Sequence, residues 1–490
     1  MKDACGSAAL APGPVDLLLV HPYVLALDDS RTYELLPYPP LGLLSLAAVA
    51  RRAGYRVAIH DATFSNGLHD IDTTLEGNPP RLIGVGSWSS YRGNSQKFLA
   101  HLAARGLPVV AGGPDPSLYP EQYLEAGARV VAVGEAETTL LELLRAALGE
   151  PGGDAPADLD PSRLQGIAGL VWRASSLQRT RTRERIGDLD ALPLPAYDLV
   201  PTALYLEAWE HKFGYASLPL MAARGCPFQC TWCARPSFGK IYTQRSVPHV
   251  LAEIRHLVET LGARYIRIVD DTFVIRKNWV REFAGAVRES GLQFEYECLA
   301  RVELLTDDVV EALRSSGCVK VFCGVESGSQ KVLDAMKKGT TVRQILDAGE
   351  RLRRAGIRFH SYLMLGYPGE RHRDVRMTLR LLRRLAPDEH SVSIAYPMPG
   401  TEFHDLVASL LPEERGWENR DDVNLKFRGE YSRLYYRLAR SLCRRRYAPR
   451  RPRGVRAQLH GWGLEAALEV VRARDGIFMH RPRYADGAAS

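Results

Sequence analysis

Three cysteines, Cys226, Cys230 and Cys233, fall within eight residues, in the run Arg224-Gly225-Cys226-Pro227-Phe228-Gln229-Cys230-Thr231-Trp232-Cys233. Thiolates suit iron–sulfur clusters, and a four-iron cluster ordinarily takes four of them. A C-x3-C-x2-C triplet with no obvious fourth thiol can hold three irons and leave one open. An open metal position is where a site does chemistry rather than structure. Structural zinc, the competing occupant, wants four ligands, and only three are grouped here. The other five cysteines, Cys5, Cys298, Cys318, Cys323 and Cys443, form no C-x2-C pair. Cys298, Cys318 and Cys323 lie in apolar strand contexts, where a thiol behaves as a small hydrophobe.

The elements that must position such a loop can be read from periodicity. Val15–Val20, Arg56–His60, Leu82–Gly86, Val109–Ala111 and Val130–Val133 are short apolar strands. Helical patterns at 41–53, 95–104 and 137–148 alternate with them. This alternation predicts a parallel, doubly wound (Rossmann-like) sheet over residues 1–150, with ligands beyond the carboxyl ends of the strands. Those ends carry Gly86-Ser87-Trp88-Ser89-Ser90, Gly112-Gly113-Pro114 and Gly134-Glu135. Glycine there lets backbone approach a bulky ligand; each run is also an ordinary tight turn when taken alone.

Residues 151–210 read as a linker and connector rich in Gly, Pro and Asp, with a possible strand at 167–172. From Leu218 a second series begins. Strands are expected at 218–223, 265–269, 294–299, 320–325, 358–365 and 390–395, with helices at 248–260, 278–290, 307–315, 342–354 and 373–385. Six strands in regular βα alternation predict a partial (β/α)6 barrel of TIM type over 211–405. The cysteine loop follows its first strand and so falls on the carboxyl face, where barrel active sites are built. Residues 406–490 are expected to be mainly helical, with 421–446 largely helix, and to set substrate specificity.

Composition fits a folded enzyme: 490 residues, 46% hydrophobic, 25% charged, net charge +7. The basic residues are too dispersed to imply nucleic-acid binding. No apolar run is long enough to span a bilayer, and no signal-peptide core opens the chain, so the cytoplasm is the expected compartment. The basic stretch around Arg444-Arg445-Arg446 and Arg450-Arg451-Pro452-Arg453 reads as solvated surface or as a site for an anionic substrate.

Taken in order, several motifs resemble the radical S-adenosyl-L-methionine (SAM) enzymes that carry an N-terminal cobalamin-binding domain. They are Tyr38-Pro39-Pro40-Leu41-Gly42, Ala111-Gly112-Gly113-Pro114, Val133-Gly134-Glu135-Ala136-Glu137-Thr138, the cysteine triplet with Trp232, and Asp270-Asp271-Thr272-Phe273. Gly324-Val325-Glu326-Ser327-Gly328-Ser329, Gly366-Tyr367-Pro368-Gly369-Glu370 and Pro397-Met398-Pro399-Gly400-Thr401 complete the series. The resemblance covers about 15–407. It implies a 4Fe-4S cluster on Cys226, Cys230 and Cys233, with SAM chelating the open iron, and cobalamin near Ser87, Trp88, Ser89, Gly112, Gly113, Gly134 and Glu135. Asp270 or Asp271 would accept from the methionyl ammonium or ribose, Glu326 from the ribose hydroxyls, and Arg301 would pair with the SAM carboxylate. Gly366 would shape the adenine side.

The string Asp-x-His-x-x-Gly, whose histidine ligates cobalt in many cobalamin proteins, is absent; His21, His60 and His69 are the nearest histidines. The resemblance therefore implies cobalamin without a protein histidine ligand. The activity it implies is methyl transfer from SAM, by way of methylcobalamin, to an unactivated carbon of a small molecule, with electrons from a reductant such as flavodoxin or ferredoxin. Oxidative cyclisation or ring rearrangement on the same apparatus is the alternative enzyme. A zinc-stabilised or cobalamin-sensing binding protein is the alternative outside catalysis, and the first domain as a ligand-free relic stays open.

Overall fold

The computed structural model describes residues 14–27, 37–77, 79–153, 157–233, 238–411, 427–446 and 455–478. The chain divides into two compact units. One comprises Met1–Leu220, Arg235–Ile266 and Arg415–Asp421; the other comprises Met221–Ala234, Arg267–Glu414 and Asp422–Ser490.

The first unit is organised on a seven-stranded sheet. Its strands are β1 (Val15–His21), β2 (Val57–Asp61), β3 (Pro80–Gly86), β4 (Val109–Gly112), β5 (Val130–Ala132), β6 (Leu170–Arg173) and β7 (Leu177–Arg179), in the order β2-β1-β3-β4-β5-β6-β7. Strands β1 to β5 pair in parallel; Leu18 of β1 lies between Ala58 and Ile83. Every residue of β1 is buried. A parallel strand covered on both faces must be apolar throughout, which is why it reads as an unbroken run rather than an alternation. Leu18, Ile83, Phe98, Leu99, Val109 and Val131 belong to its core. Chain order reverses between β1 and β3, the switch point beyond which such sheets bind ligands.

The stretch expected as connector contributes more structure than its composition indicated. Strands β6 and β7 extend the sheet antiparallel, because Leu170, Val171 and Trp172 are apolar enough to be buried against β5. Thr202–Phe213 is a helix closed by Gly214 in the left-handed conformation.

Further along lie β8 (Ser217–Leu220), the two-residue strands β9 (Ala223–Arg224) and β10 (Thr243–Gln244), and β11 (Tyr265–Ile268), β12 (Glu295–Ala300), β13 (Cys318–Glu326), β14 (Arg358–Leu365) and β15 (Glu389–Ile394). Six of these form an open sheet in the order β15-β14-β13-β12-β11-β8, with β12 to β15 parallel. Helices Lys277–Ser290, Asp307–Ser315, Val342–Arg354 and His372–Leu385 connect them, giving the expected partial barrel. Val342–Arg354 shows how local sequence sets an element. Thr341 and Gln344 form a reciprocal capping box, and Ile345, Ala348, Gly349 and Leu352 bury one face at helical spacing.

In the C-terminal part, Arg433–Arg446 is a helix, whereas residues 421–426 of the expected helix lie outside the described residues. A second helix, Val455–Phe478, fits the mainly helical character expected of this region, although no helix was placed at these residues. Cys5 and Arg450–Arg453 also lie outside the described residues. No helix among the described residues is long and apolar enough to cross a membrane.

Candidate metal and cofactor centre

The cysteine loop is pinned from its middle. Thr231, between the second and third cysteines, donates its N–H to the Met336 carbonyl (3.1 Å), and its hydroxyl lies 2.6 Å from the Tyr367 hydroxyl. Its own carbonyl accepts from Phe403 N–H at 3.0 Å. These contacts hold the flanking cysteines in place without using their sulfurs. Cys226 and Cys230 are buried, Cys233 is half-buried, and none is in a disulfide. Cys226 Sγ lies 4.0 Å from the Thr272 hydroxyl, and Arg301 Nη1 donates to Cys230 Sγ at 3.3 Å. Three uncrosslinked thiols with a guanidinium on one of them fit a cluster held by thiolates, because hydrogen bonds to sulfur and nearby cations favour the thiolate.

Arg301 is engaged on all sides. Its guanidinium carbon lies 3.8 Å from the centre of the Phe228 ring, within the cysteine loop. Beyond Cys230, it donates to Glu303 and to the Lys338 carbonyl, with Thr340 Oγ1 3.5 Å away. The sequence-based expectation paired it with a ligand carboxylate; here it bridges a candidate iron ligand to the loop 336–340. A ligand carboxylate would have to compete with Glu303.

Glu326 ends β13 at a register shift, with a left-handed backbone (φ 60°). Such irregularities re-aim a side chain, and the conformation costs a non-glycine residue roughly 1–2 kcal/mol. Its buried carboxylate accepts from Lys338 Nζ at 3.0 Å through Oε1. Sequence reasoning missed Lys338. The signal was present in Lys337-Lys338-Gly339, a pair of cations directly after a short helix. Burial lowers the Lys338 pKa, but Glu326 and then Cys230 outweigh it, so the ammonium is held charged.

The two aspartates divide. Asp270 is buried and accepts from the Ala222 and Ala223 amides at 2.7 and 3.0 Å, fixing the chain just ahead of the cysteine loop. Asp271 is exposed. At the end of β14, Gly366 (φ 88°) donates its N–H to Glu370 at 2.5 Å, and a β-carbon there would meet the Tyr436 ring at 3.2 Å. Burial pushes Glu370 up to about 8, against the Gly366 amide, which holds it down.

In the first unit the expected residues serve different ends. Ser87 is buried, and its hydroxyl meets Ser95 (2.7 Å) and Tyr123 (2.6 Å). Tyr123 donates to Asp115, which Arg92 grips through Nε and Nη2 at 2.7 and 2.6 Å. Gly113 (φ 111°) lies so close to this turn that a β-carbon would sit 2.6 Å from the Ser87 carbonyl. Gly113 is thus required by the protein's own packing, not by an external ligand alone. Gly112 would meet only Ala132, at 3.8 Å. Glu135 accepts from the Ile186 amide at 2.8 Å. Trp88 is about half exposed, and Ser89 opens a short 3-10 turn. Gly134 (φ 85°) is half-buried, donates its N–H to Ser117 Oγ at 3.2 Å and has nothing within 4 Å of a β-carbon, so its α-carbon leaves room for the close approach of a bulky cofactor. His21, at the end of β1, is buried with its ring 5.4 Å from that of Tyr91; burial lowers its pKa. His60 is likewise lowered, to about 4.

Other ligand-type groups are accounted for. Cys298, hydrogen-bonded to Cys318 and buried, is held well above the usual thiol range, and burial pushes Cys443 up to about 12. These are inert core thiols. Among the described residues, His69, Asp72 and His101 bring ligand atoms within 4.8 Å of one another. Arg105 binds Asp72 at 3.0 Å and reaches His101 as well, so a cation already fills that cluster.

Residues 35–144 match the family model of the B12 binding domain, and residues 221–382 that of the radical SAM superfamily. An uncharacterized methyltransferase of Pyrococcus horikoshii is 30% identical over 400 residues, covering 79% of this chain and 82% of the relative. Among solved structures, the radical SAM methyltransferase TsrM from Kitasatospora setae, with cobalamin and a 4Fe-4S cluster bound, superposes with a TM-score of 0.66 at 20% identity, over 82% of this chain and 78% of that one. The cobalamin-dependent SAM radical enzyme OxsB, with aqua-cobalamin and SAM bound, gives 0.70 at 16% identity, over 94% and 72%. The expected order of a cobalamin-type sheet followed by a radical SAM barrel is borne out. The chain belongs to the radical SAM superfamily, among the members that carry a B12-binding domain ahead of the barrel.

Proposed function

We propose that this protein is a cobalamin-dependent radical SAM methyltransferase that moves a methyl group from SAM to an unactivated carbon of a small molecule. One observation carries the reading: a loop of three cysteines outside any disulfide, with Arg301 on Cys230, at the head of a radical SAM barrel whose chain also holds a B12-type sheet. When bound, the cluster and SAM supply hydrogen abstraction by one-electron cleavage, and cobalamin supplies a methyl carrier.

The chain's own part is positioning. Cys226, Cys230 and Cys233 would hold three irons, and Arg301 donates to the Cys230 sulfur. Among the described residues the Glu326 carboxylate makes a single hydrogen bond, through Oε1, which leaves Oε2 to accept from a ribose hydroxyl. Gly366, whose missing β-carbon makes room for the Tyr436 ring, holds the turn that would border the adenine. In the first unit, Gly134 leaves room for cobalamin, while the buried network of Ser87, Tyr123, Asp115 and Arg92 keeps the adjoining turns rigid. Methyl transfer is supported by the names of the Pyrococcus relative and of TsrM. A carbon acceptor follows from economy of apparatus, since oxygen and nitrogen nucleophiles are methylated without radicals. A one-electron donor of the flavodoxin or ferredoxin class completes the system.

The test begins with anaerobic purification and counts of iron, sulfide and cobalt, followed by reduction in the presence of SAM. Four irons, one cobalt and formation of 5′-deoxyadenosine are expected; a colourless protein with stoichiometric zinc ends the proposal. With SAM deuterated in its methyl group and a candidate substrate, a product three mass units heavier on carbon supports methyl transfer. An unlabelled product that has lost hydrogen overturns it.

A further inference from the structure

Lys338 lies outside every expected site residue, yet it joins two of them. Its Nζ is 3.0 Å from Glu326 Oε1, and both side chains are almost wholly buried. Its carbonyl accepts from Arg301, which in turn donates to Cys230 Sγ. Its ammonium also sits 5.7 Å from the centre of the Trp232 ring, between the second and third cysteines. One residue thereby touches, directly or through one partner, the cysteine loop, Arg301 and the end of β13.

The backbone is shaped around this pair. A β-carbon on Gly324 would lie 2.2 Å from Glu326 Oε1 and 2.6 Å from Lys338 Nζ, so the ion pair crosses a bare α-carbon. Glu326 and Lys337 both hold left-handed conformations (φ 60° and 50°), unusual for non-glycine residues. Strain of this kind persists where surrounding structure over-determines it, and it clusters at ligand clamps. A structural ion pair needs neither feature. With Oε1 taken by Lys338, only one carboxylate oxygen of Glu326 is left to a ligand, and its direction is fixed.

We propose that Lys338 is a positioning residue of the SAM seat, fixing Glu326 by one oxygen so that the other meets the ribose, and carrying Arg301 against Cys230. This rests on the cluster and SAM reading above. Equilibrium dialysis of SAM against the anaerobic holoprotein, with iron and sulfide counted in the same samples, tests it.

Outer partners of this kind typically cost about ten- to hundredfold in affinity when lost. Lys338→Met is therefore expected to weaken SAM binding by roughly that factor while keeping four irons, and Lys338→Arg to recover part of the loss. Lys338→Met with four irons and the wild-type affinity overturns the inference. Should that variant not fold because Glu326 is left as an unpaired buried charge, Lys338→Gln is measured in its place, with the same two outcomes. Failure of the parent reading looks different: the wild-type protein itself would then hold no four-iron cluster or bind no SAM.

Discussion

The strand ends of the two sheets carry motifs of similar appearance, glycines and short polar residues, yet they use them differently. At the barrel, Cys230, Arg301, Lys338 and Glu326 converge through direct contacts. In the first unit, Ser87, Gly113 and Glu135 turn toward the protein's own backbone and a buried network, and Gly134 alone among the strand-end glycines combines a left-handed backbone with open space around it. The difference fits the ligands proposed for each. A cluster is bound through covalent ligands, which need side chains aimed at one point. The large cofactor proposed for the first unit would instead be met by backbone, and packed turns fix where that backbone lies.

The largest effect should come from the barrel. Cys230→Ala is expected to abolish SAM cleavage, read as loss of 5′-deoxyadenosine, while cobalt content stays at the wild-type level. Loss of both together would mean that the two regions are not separable. Next is Arg92→Met in the first unit. It leaves the Asp115 carboxylate, which is 1% exposed, without its counter-ion and with the Tyr123 hydroxyl still donating to it, and breaking one partner of a buried ion pair costs about 3–5 kcal/mol. Hydrogen exchange over β3 to β5 should quicken and cobalamin be lost, with iron content unchanged.

Two glycines sharpen the contrast further. Gly113→Ala should destabilise the first unit by roughly 1–3 kcal/mol, because both backbone strain and a collision with the Ser87 carbonyl oppose it. Gly134→Ala meets no collision, so its stability cost should be smaller, about 1 kcal/mol, with a proportionately greater loss of cobalamin affinity. If Gly113→Ala and Gly134→Ala lower stability and affinity in the same ratio, the distinction between packing and surface glycines fails.

The smallest effect concerns pH. Glu370 loses its proton near 4.5 when unfolded but near 8 when folded. Between those values the folded state binds one more proton, so its contribution to stability is full below about 4.5 and is lost as pH rises toward 8. Glu370→Gln, which keeps an acceptor for the Gly366 amide, should raise the thermal midpoint at pH 8.5 and leave it nearly unchanged at pH 4. An equal shift at both pH values would show that Glu370 is ionised throughout.

Much of the fold was legible because its elements follow short-range rules. The helix Val342–Arg354 and the strand Arg358–Leu365 lie where periodicity put them, since a capping box and a buried apolar strand are local signals. The antiparallel strand β7, with Leu177-Gln178-Arg179, was not legible: it is short and polar, and it exists because β6 offers an edge. Among site residues, the cysteine triplet was legible from spacing. The roles of Arg301 and Asp270 were not, because which partner a charged side chain takes depends on residues up to about seventy positions away.

The sequence by itself determined the alternation of strands and helices, the family, and the cysteine spacing, because each depends on residues close in the chain or on motifs read in order. Only the tertiary structure decided that Ser87 faces inward, that Gly113 packs on its neighbour, and that Lys338 links Glu326 to the arginine on Cys230. Those are contacts between distant segments, and a buried charge or hydroxyl takes whichever partner the fold brings to it.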